Sequence, residues 1–138
     1  MEYKVYNAKK RLIIKEIQGQ YVVDLKKRLF DFAANCIRLL NYIPYRKEYE
    51  VFRYQLSKSA TSIGANYEES QASSYAEFRQ KIQICLRESR ETYYWLRLIK
   101  ELIQNNEKKY LDLLIHLVKE IEEIQKIFGA ISSKIKKN

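Results

Sequence analysis

With one proline and three glycines among 138 residues, this chain is almost without turn residues. A sandwich or barrel of short strands needs a turn roughly every 8 to 12 residues, so a many-stranded fold is excluded. Cysteine is scarce as well. Cys36 and Cys85 fall on apolar stripes of different expected helices, which reads as two buried free thiols and not as a disulfide or a ligand pair. The only histidine, His116, lies between the seam positions Leu114 and Leu117 and is expected to point outward, as a surface residue and not a metal ligand. No run approaches the roughly 20 apolar residues of a membrane span, and "MEYKVYNAKKRLIIKEI" has no apolar stretch of signal-peptide length. The expectation is a soluble, cytoplasmic protein without membrane association.

Catalytic vocabulary is missing too. There is no Cys-x-x-Cys, no glycine-rich phosphate loop and no nucleophile elbow. Carboxylate-bridged di-iron bundles need Glu-x-x-His on two helices, and that motif is absent. No enzymatic activity, metal or cofactor is therefore expected.

What the chain does contain is 46% hydrophobic and 31% charged residues with a formal charge of +9, so an anionic partner is a live expectation. At this length one domain can bury a core unaided. Residues 1–20 read as an N-terminal arm, in which "YKVY" and "RLIIKEI" flank "NAKK" as in a short hairpin, and Gly19 marks a break. From Tyr21 the pattern is helical, with Leu25, Leu29, Phe32, Cys36, Leu39 and Ile43 at steps of four and three. Pro44 ends that helix by removing a donor and disfavouring helical geometry at Ile43. A second seam runs through Phe52, Leu56, Ser59, Ile63, Asn66 and Ser70. After Ser74, an N-cap with Glu77 three residues on, a third runs through Phe78, Ile82, Cys85, Ser89, Thr92, Leu96, Ile99 and Ile103. "QNNEKK" turns the chain into the last seam, Tyr110, Leu114, Leu117, Ile121, Ile124, Phe128, Ile131 and Ile135. Helices of roughly 20 to 30 residues joined by short connections imply an all-α, antiparallel up-and-down four-helix bundle over residues 21–138.

The second and third seams thin out in the middle, in and opposite "SATSIGANYEES". Ser59, Ser62, Asn66 and Glu69 are spaced to share one stripe, expected to face Glu88 and Glu91, with Lys58, Lys81, Arg87 and Arg90 as candidate counter-charges. A hydrogen-bonded network that fixes register or a subunit contact explains this seam better than an acid–base pair, since no nucleophile or metal motif accompanies it. Gly64, at a helix cost of roughly 1 kcal/mol relative to alanine, points to a close approach of two backbones or two subunits.

Arg87, Arg90, Tyr94 and Arg97 fall on one stripe of the third helix and mix cations with an aromatic, as a surface for nucleic-acid backbone and bases would. Ordinary intrahelical pairs of Arg87 with Glu91 and Arg97 with Glu101 are the plainer expectation. The unpaired cationic excess is expected in Lys9, Lys10 and Arg11, in Lys26, Lys27 and Arg28, and in Lys134, Lys136 and Lys137, as phosphate-seeking clusters. Twelve tyrosines, and the crowded rings of "TYYWL" with Tyr94 and Trp95, suggest that some aromatics pack on another subunit.

The stretch from Tyr54 to Ile99 resembles the 23S rRNA-intervening-sequence proteins, whose hallmark reads roughly Q-L-x-R-S-x-T-S-I-G-A-N-Y-x-E-A, then F-x-x-K, then E-x-x-E-T-x-Y-W-L; "DLKKRLFDFAANCIRLLNYIP" also resembles the family's first helix, so the likeness covers the chain from Tyr21 to about Ile103. It lands on Gln55, Leu56, Ser59, Thr61, Ser62, Ile63, Gly64, Ala65, Asn66, Tyr67 and Glu69, on Phe78 and Lys81, and on Glu88, Glu91, Thr92, Tyr94, Trp95 and Leu96. Lys58 stands where arginine is common, Ser70 where alanine is usual, and Glu68 where a basic residue often lies, which argues against a nucleic-acid contact at Glu68. The resemblance implies an antiparallel bundle assembled as a ring-like homopentamer, a link to ribosomal RNA genes, and no enzymatic activity. It further implies similarity in fold to the basic, pentameric accessory proteins of diversity-generating retroelements, which bind nucleic acid and a reverse transcriptase. Three expectations follow: an oligomer that binds nucleic acid, RNA before DNA; a scaffold for a protein partner; and, least favoured, a small-molecule or metal site in the polar middle of the bundle.

Overall fold

The computed structural model describes Ile13 and residues 24–137, and among these the protein is all-helical. The hairpin expected within residues 1–20, and with it Lys9, Lys10 and Arg11, lies outside the described residues; Ile13 alone is described there, and it is buried in the core. Helix α1 spans Leu25–Leu39, α2 Glu50–Gln71, α3 Tyr75–Leu102 and α4 Lys108–Lys137, with short 3-10 turns at Leu40–Tyr42 and Lys47–Tyr49.

Several of the helix ends have a local cause. The Asp24 carboxylate accepts from the Lys26 amide and caps α1. Ser74 caps α3 by accepting from the Glu77 amide at 3.3 Å, as the capping-box spacing predicts. Ile43, ahead of Pro44, is extended at φ −89° and ψ 127°, yet it stays in the core. The carbonyls stranded where α1 ends are collected by one side chain. Arg53 on α2 donates to the carbonyls of Leu40, Ile43 and Pro44 and so ties the end of α1 to the first turns of α2.

The four seams meet in one core. Leu29, Phe32, Cys36 and Leu39 from α1, Leu56 and Ile63 from α2, Ile82, Cys85 and Leu96 from α3, and Leu117, Ile121, Ile124 and Phe128 from α4 are all buried. Contacts between neighbours run in opposite directions along the chain. Ser59 meets Thr92 while Ile63 meets Cys85, and Gln83 meets Ser132 while Tyr93 meets Glu122, so α2, α3 and α4 are antiparallel. The α2–α3 contact is the most extensive, and α1 against α4 is much slighter. Both cysteines are free and buried, as the apolar stripes predict; burial pushes the Cys36 thiol well up and that of Cys85 up to about 12. No helix among the described residues is long and apolar enough to cross a membrane.

Candidate nucleic-acid interface and polar seam

The cationic stripe of α3 makes no ion pair among the described residues. Arg87, Arg90 and Arg97 are exposed, and among the described residues none has a carboxylate oxygen within 4.0 Å, so the expected pairs with Glu91 and Glu101 do not form. Tyr94 is exposed beside them, with its ring edge-on to Trp95 at 5.1 Å. Arg97 instead lies over the Tyr93 ring, 4.7 Å from its centroid, and the Tyr93 hydroxyl donates to Glu122 on α4. From Arg87 to Arg97 the stripe runs about 15 Å along the helix.

The cluster at the start of α1 behaves differently, and the expectation of unpaired charge there is corrected. Lys26 meets Glu68 at 3.4 Å, and Lys27 meets Asp31 at 2.7 Å, a hydrogen bond that holds the Lys27 ammonium above its ordinary range. Arg28 makes a bidentate pair with Glu120 of α4 at 2.8 and 2.6 Å, with both side chains mostly buried. Each cation of "KKR" has found its own carboxylate by folding. At the other terminus Lys134 is half-buried, Lys136 is exposed and Lys137 closes α4.

The polar seam divides into three separate contacts. Ser59 is fully buried, and its Oγ lies 2.8 Å from Oγ1 of Thr92, which also lies 2.8 Å from the Glu88 carbonyl. The Asn66 amide donates to the Ser62 carbonyl and lies 2.9 Å from the Ser62 hydroxyl, inside α2. Glu69 pairs across the α2–α3 turn with Lys81 at 2.8 Å. None of these side chains bonds the carboxylates of Glu88 or Glu91, so the facing arrangement expected from spacing is not formed. The reason is rotational: Ser59 points into the core, whereas Ser62 and Asn66 are half-buried and Glu69, about 80° round the helix from Ser59, is exposed to solvent. Glu91 accepts weakly from the Trp95 indole at 3.4 Å. Glu88 is half-buried without a cation in pairing distance; desolvation, then the neighbouring Glu91 charge, hold its carboxyl above the ordinary carboxylate range against the pull of Arg87 and Lys58. Trp95 packs edge-on to Phe52, so the rings of "TYYWL" part in three directions, toward α4, solvent and α2.

Gly64 marks where α2 passes α1. A methyl built on it would meet Leu29 Cβ at 3.5 Å and the Leu29 backbone at 3.7 Å, ordinary van der Waals contact. The α1 backbone is close, but an alanine fits. Gly64 also lines an open apolar groove of about 340 Å³ with Leu29, Phe30, Ala34, Ile37 and Ala65. Phe30 is 67% exposed and Ile37 42%, and sequence patterning passed over both because they lie off the seam positions. Their separation of seven residues, on one face of α1, was the signal available. Among the described residues no cluster of three or more histidine, cysteine, aspartate or glutamate side chains is placed to hold a metal ion.

With that geometry in view, likeness to known proteins can be placed on it. The model of the 23S rRNA-intervening sequence protein family matches residues 23–130. This chain belongs to that family. A solved structure from Bacteroides thetaiotaomicron, described as a protein of unknown function from the S23 ribosomal protein family, is 29% identical to it. That likeness covers 79% of this chain and 98% of the other, with a TM-score of 0.66. No curated protein matches the sequence. The matched span opens just before α1 and closes within α4, so it takes in the cationic stripe, the polar seam and the apolar groove, and leaves out the first 22 residues.

Proposed function

We propose that this protein is a non-enzymatic homo-oligomer, a pentamer on the family resemblance, that binds nucleic acid, RNA in preference to DNA, through the open face of α3. The observation that carries this reading is the set Arg87, Arg90 and Arg97, which is exposed and unpaired beside Tyr94 in a chain of net charge +9. Guanidinium groups without an internal carboxylate break no ion pair when a phosphate arrives, so counterion release from the nucleic acid is not offset by a lost salt bridge. The exposed Tyr94 ring adds a face on which a base can stack. The family's description as 23S rRNA-intervening sequence proteins supports RNA as the polyanion. Titrating the purified protein with a labelled fragment of 23S rRNA at rising salt tests this. Affinity is expected to fall linearly on a log–log plot, with a slope of about −0.7 to −0.9 per phosphate contacted; binding that ignores salt removes the mechanism.

The apolar groove between α1 and α2 favours a second reading, an interaction scaffold for a protein partner such as a reverse transcriptase. Phe30 and Ile37 present apolar surface beside small residues, as protein interfaces do. Nucleic acid that co-purifies with the oligomer and is removed only by nuclease counts against the scaffold reading.

A further inference from the structure

Resting on the reading that the protein binds RNA, we infer that the corner between α1 and α2 carries a second nucleic-acid site, a stacking platform for an unpaired base built on Tyr45 and Arg53. The α3 stripe does not include these residues, and charge patterning did not single them out.

Tyr45 follows Pro44 in the connection and is 89% exposed, more than any other large hydrophobic side chain among the described residues. An exposed tyrosine in a loop is ordinarily free to swing. This one has a fixed neighbour: the Arg53 guanidinium lies over its ring, 4.1 Å from the centroid. Arg53 cannot readily leave, because its donors are bound to the carbonyls of Leu40, Ile43 and Pro44. The backbone corner therefore holds the guanidinium, and the guanidinium backs one face of the ring. The other face has no aromatic or cationic neighbour among the described residues, and a planar base laid there would complete a cation, tyrosine, base stack.

The surroundings favour RNA over a protein partner. Arg46, Lys47, Arg53 and Lys58 outnumber Glu48 and Glu50 along this edge, and Arg46 takes up Glu48 only at 3.9 Å. In the second turn of α2, Tyr54 is 64% exposed with the Lys58 ammonium 5.9 Å from its ring centroid, which repeats the pairing of aromatic and cation. A ring that projects from a convex corner cannot enter the stack of an intact duplex without unpairing it, so the ligand class is single-stranded or looped RNA. A protein docking site would instead recess its aromatic anchor in a pocket.

Binding of a labelled single-stranded oligouridine RNA, and of an RNA duplex of equal length, to Tyr45→Ala and Tyr45→Phe proteins decides the matter. Because Tyr45 contributes almost nothing to the core, both variants are expected to melt with the wild type. Tyr45→Ala is expected to weaken single-strand binding roughly 5- to 100-fold, the effect of one stacked base, with the salt slope unchanged. Duplex binding should stay within about twofold, and Tyr45→Phe should keep the wild-type affinity because the ring and not the hydroxyl stacks. Wild-type binding with an undiminished Tyr45→Ala variant overturns the platform and leaves the α3 reading standing. A wild-type protein that binds neither RNA overturns both. A Tyr45→Ala protein whose mass falls in light scattering marks Tyr45 as a subunit contact and also overturns the platform.

Discussion

Two cationic regions of this protein have opposite electrostatic fates. At the start of α1, Lys26, Lys27 and Arg28 are consecutive in the chain, and each is answered by a carboxylate: Glu68 on α2, Asp31 on α1 and Glu120 on α4. On α3, Arg87, Arg90 and Arg97 are spread over three turns, and none is answered. A run that looks strongly basic in the sequence is the more nearly neutral of the two in the fold. Consecutive residues on a helix point about 100° apart, so three adjacent cations reach three different neighbours, whereas residues on one stripe share a single outlook. Which charges remain for an external phosphate is thus decided by what each helix face sees, and the α3 arginines form no ion pair within the bundle among the described residues.

Replacing Arg87, Arg90 and Arg97 together by glutamine is expected to weaken RNA binding roughly 100-fold and to lower the salt slope by about 2 to 3, whereas the Lys26→Gln, Lys27→Gln double variant changes both little. Equal losses in the two variants would erase the distinction between them. Next in size is Arg28→Ala, which leaves Glu120 mostly buried without its two charge-assisted hydrogen bonds. A loss of about 2 to 3 kcal/mol in urea unfolding is expected, with RNA binding by the folded protein unaffected. An unchanged midpoint would show that the pair is ornamental.

The smallest effect belongs to the unpaired acid. Glu88 has its carboxyl raised in the folded state above the ordinary value of 4.5, so folding favours its protonated form. Its charge therefore opposes folding once the pH exceeds the raised value, and that opposition disappears below the unfolded value. Glu88→Gln should accordingly melt higher than the wild type at neutral pH, with the difference closing as the pH falls through the carboxylate range. Thermal melts of both proteins across that range check the sign, and a Glu88→Gln protein that melts lower at neutral pH would mean that the carboxylate has a partner.

Most of the bundle was legible because its determinants are local. The seams at steps of four and three, the Ser74 cap and the Pro44 stop each depend on residues within a few positions; every seam residue but Asn66 is buried, Ser74 caps its helix, and α1 gives way to a 3-10 turn just ahead of Pro44. What could not be read depends on contacts distant in the chain. The partner of Arg28 lies 92 residues away, and no spacing rule connects them. The polar seam failed for a subtler reason. Steps of three, four and three keep Ser59, Ser62, Asn66 and Glu69 near one stripe, but a helix with 3.6 residues per turn lets that stripe drift, here from a buried serine to an exposed glutamate. The latch made by Arg53 was equally hidden, since its acceptors are backbone carbonyls that carry no sequence signature.

The two thiols have a practical bearing on all of these experiments. Cys36 and Cys85 are sealed in the core, and desolvation disfavours their thiolate forms, so neither is expected to react with maleimide at neutral pH. Thiol reagents are therefore expected to leave the native protein unlabelled. A single cysteine introduced on the open face of α3 would then carry a fluorophore to one defined address, and the bundle could report on its ligand without first being stripped of its own sulfur.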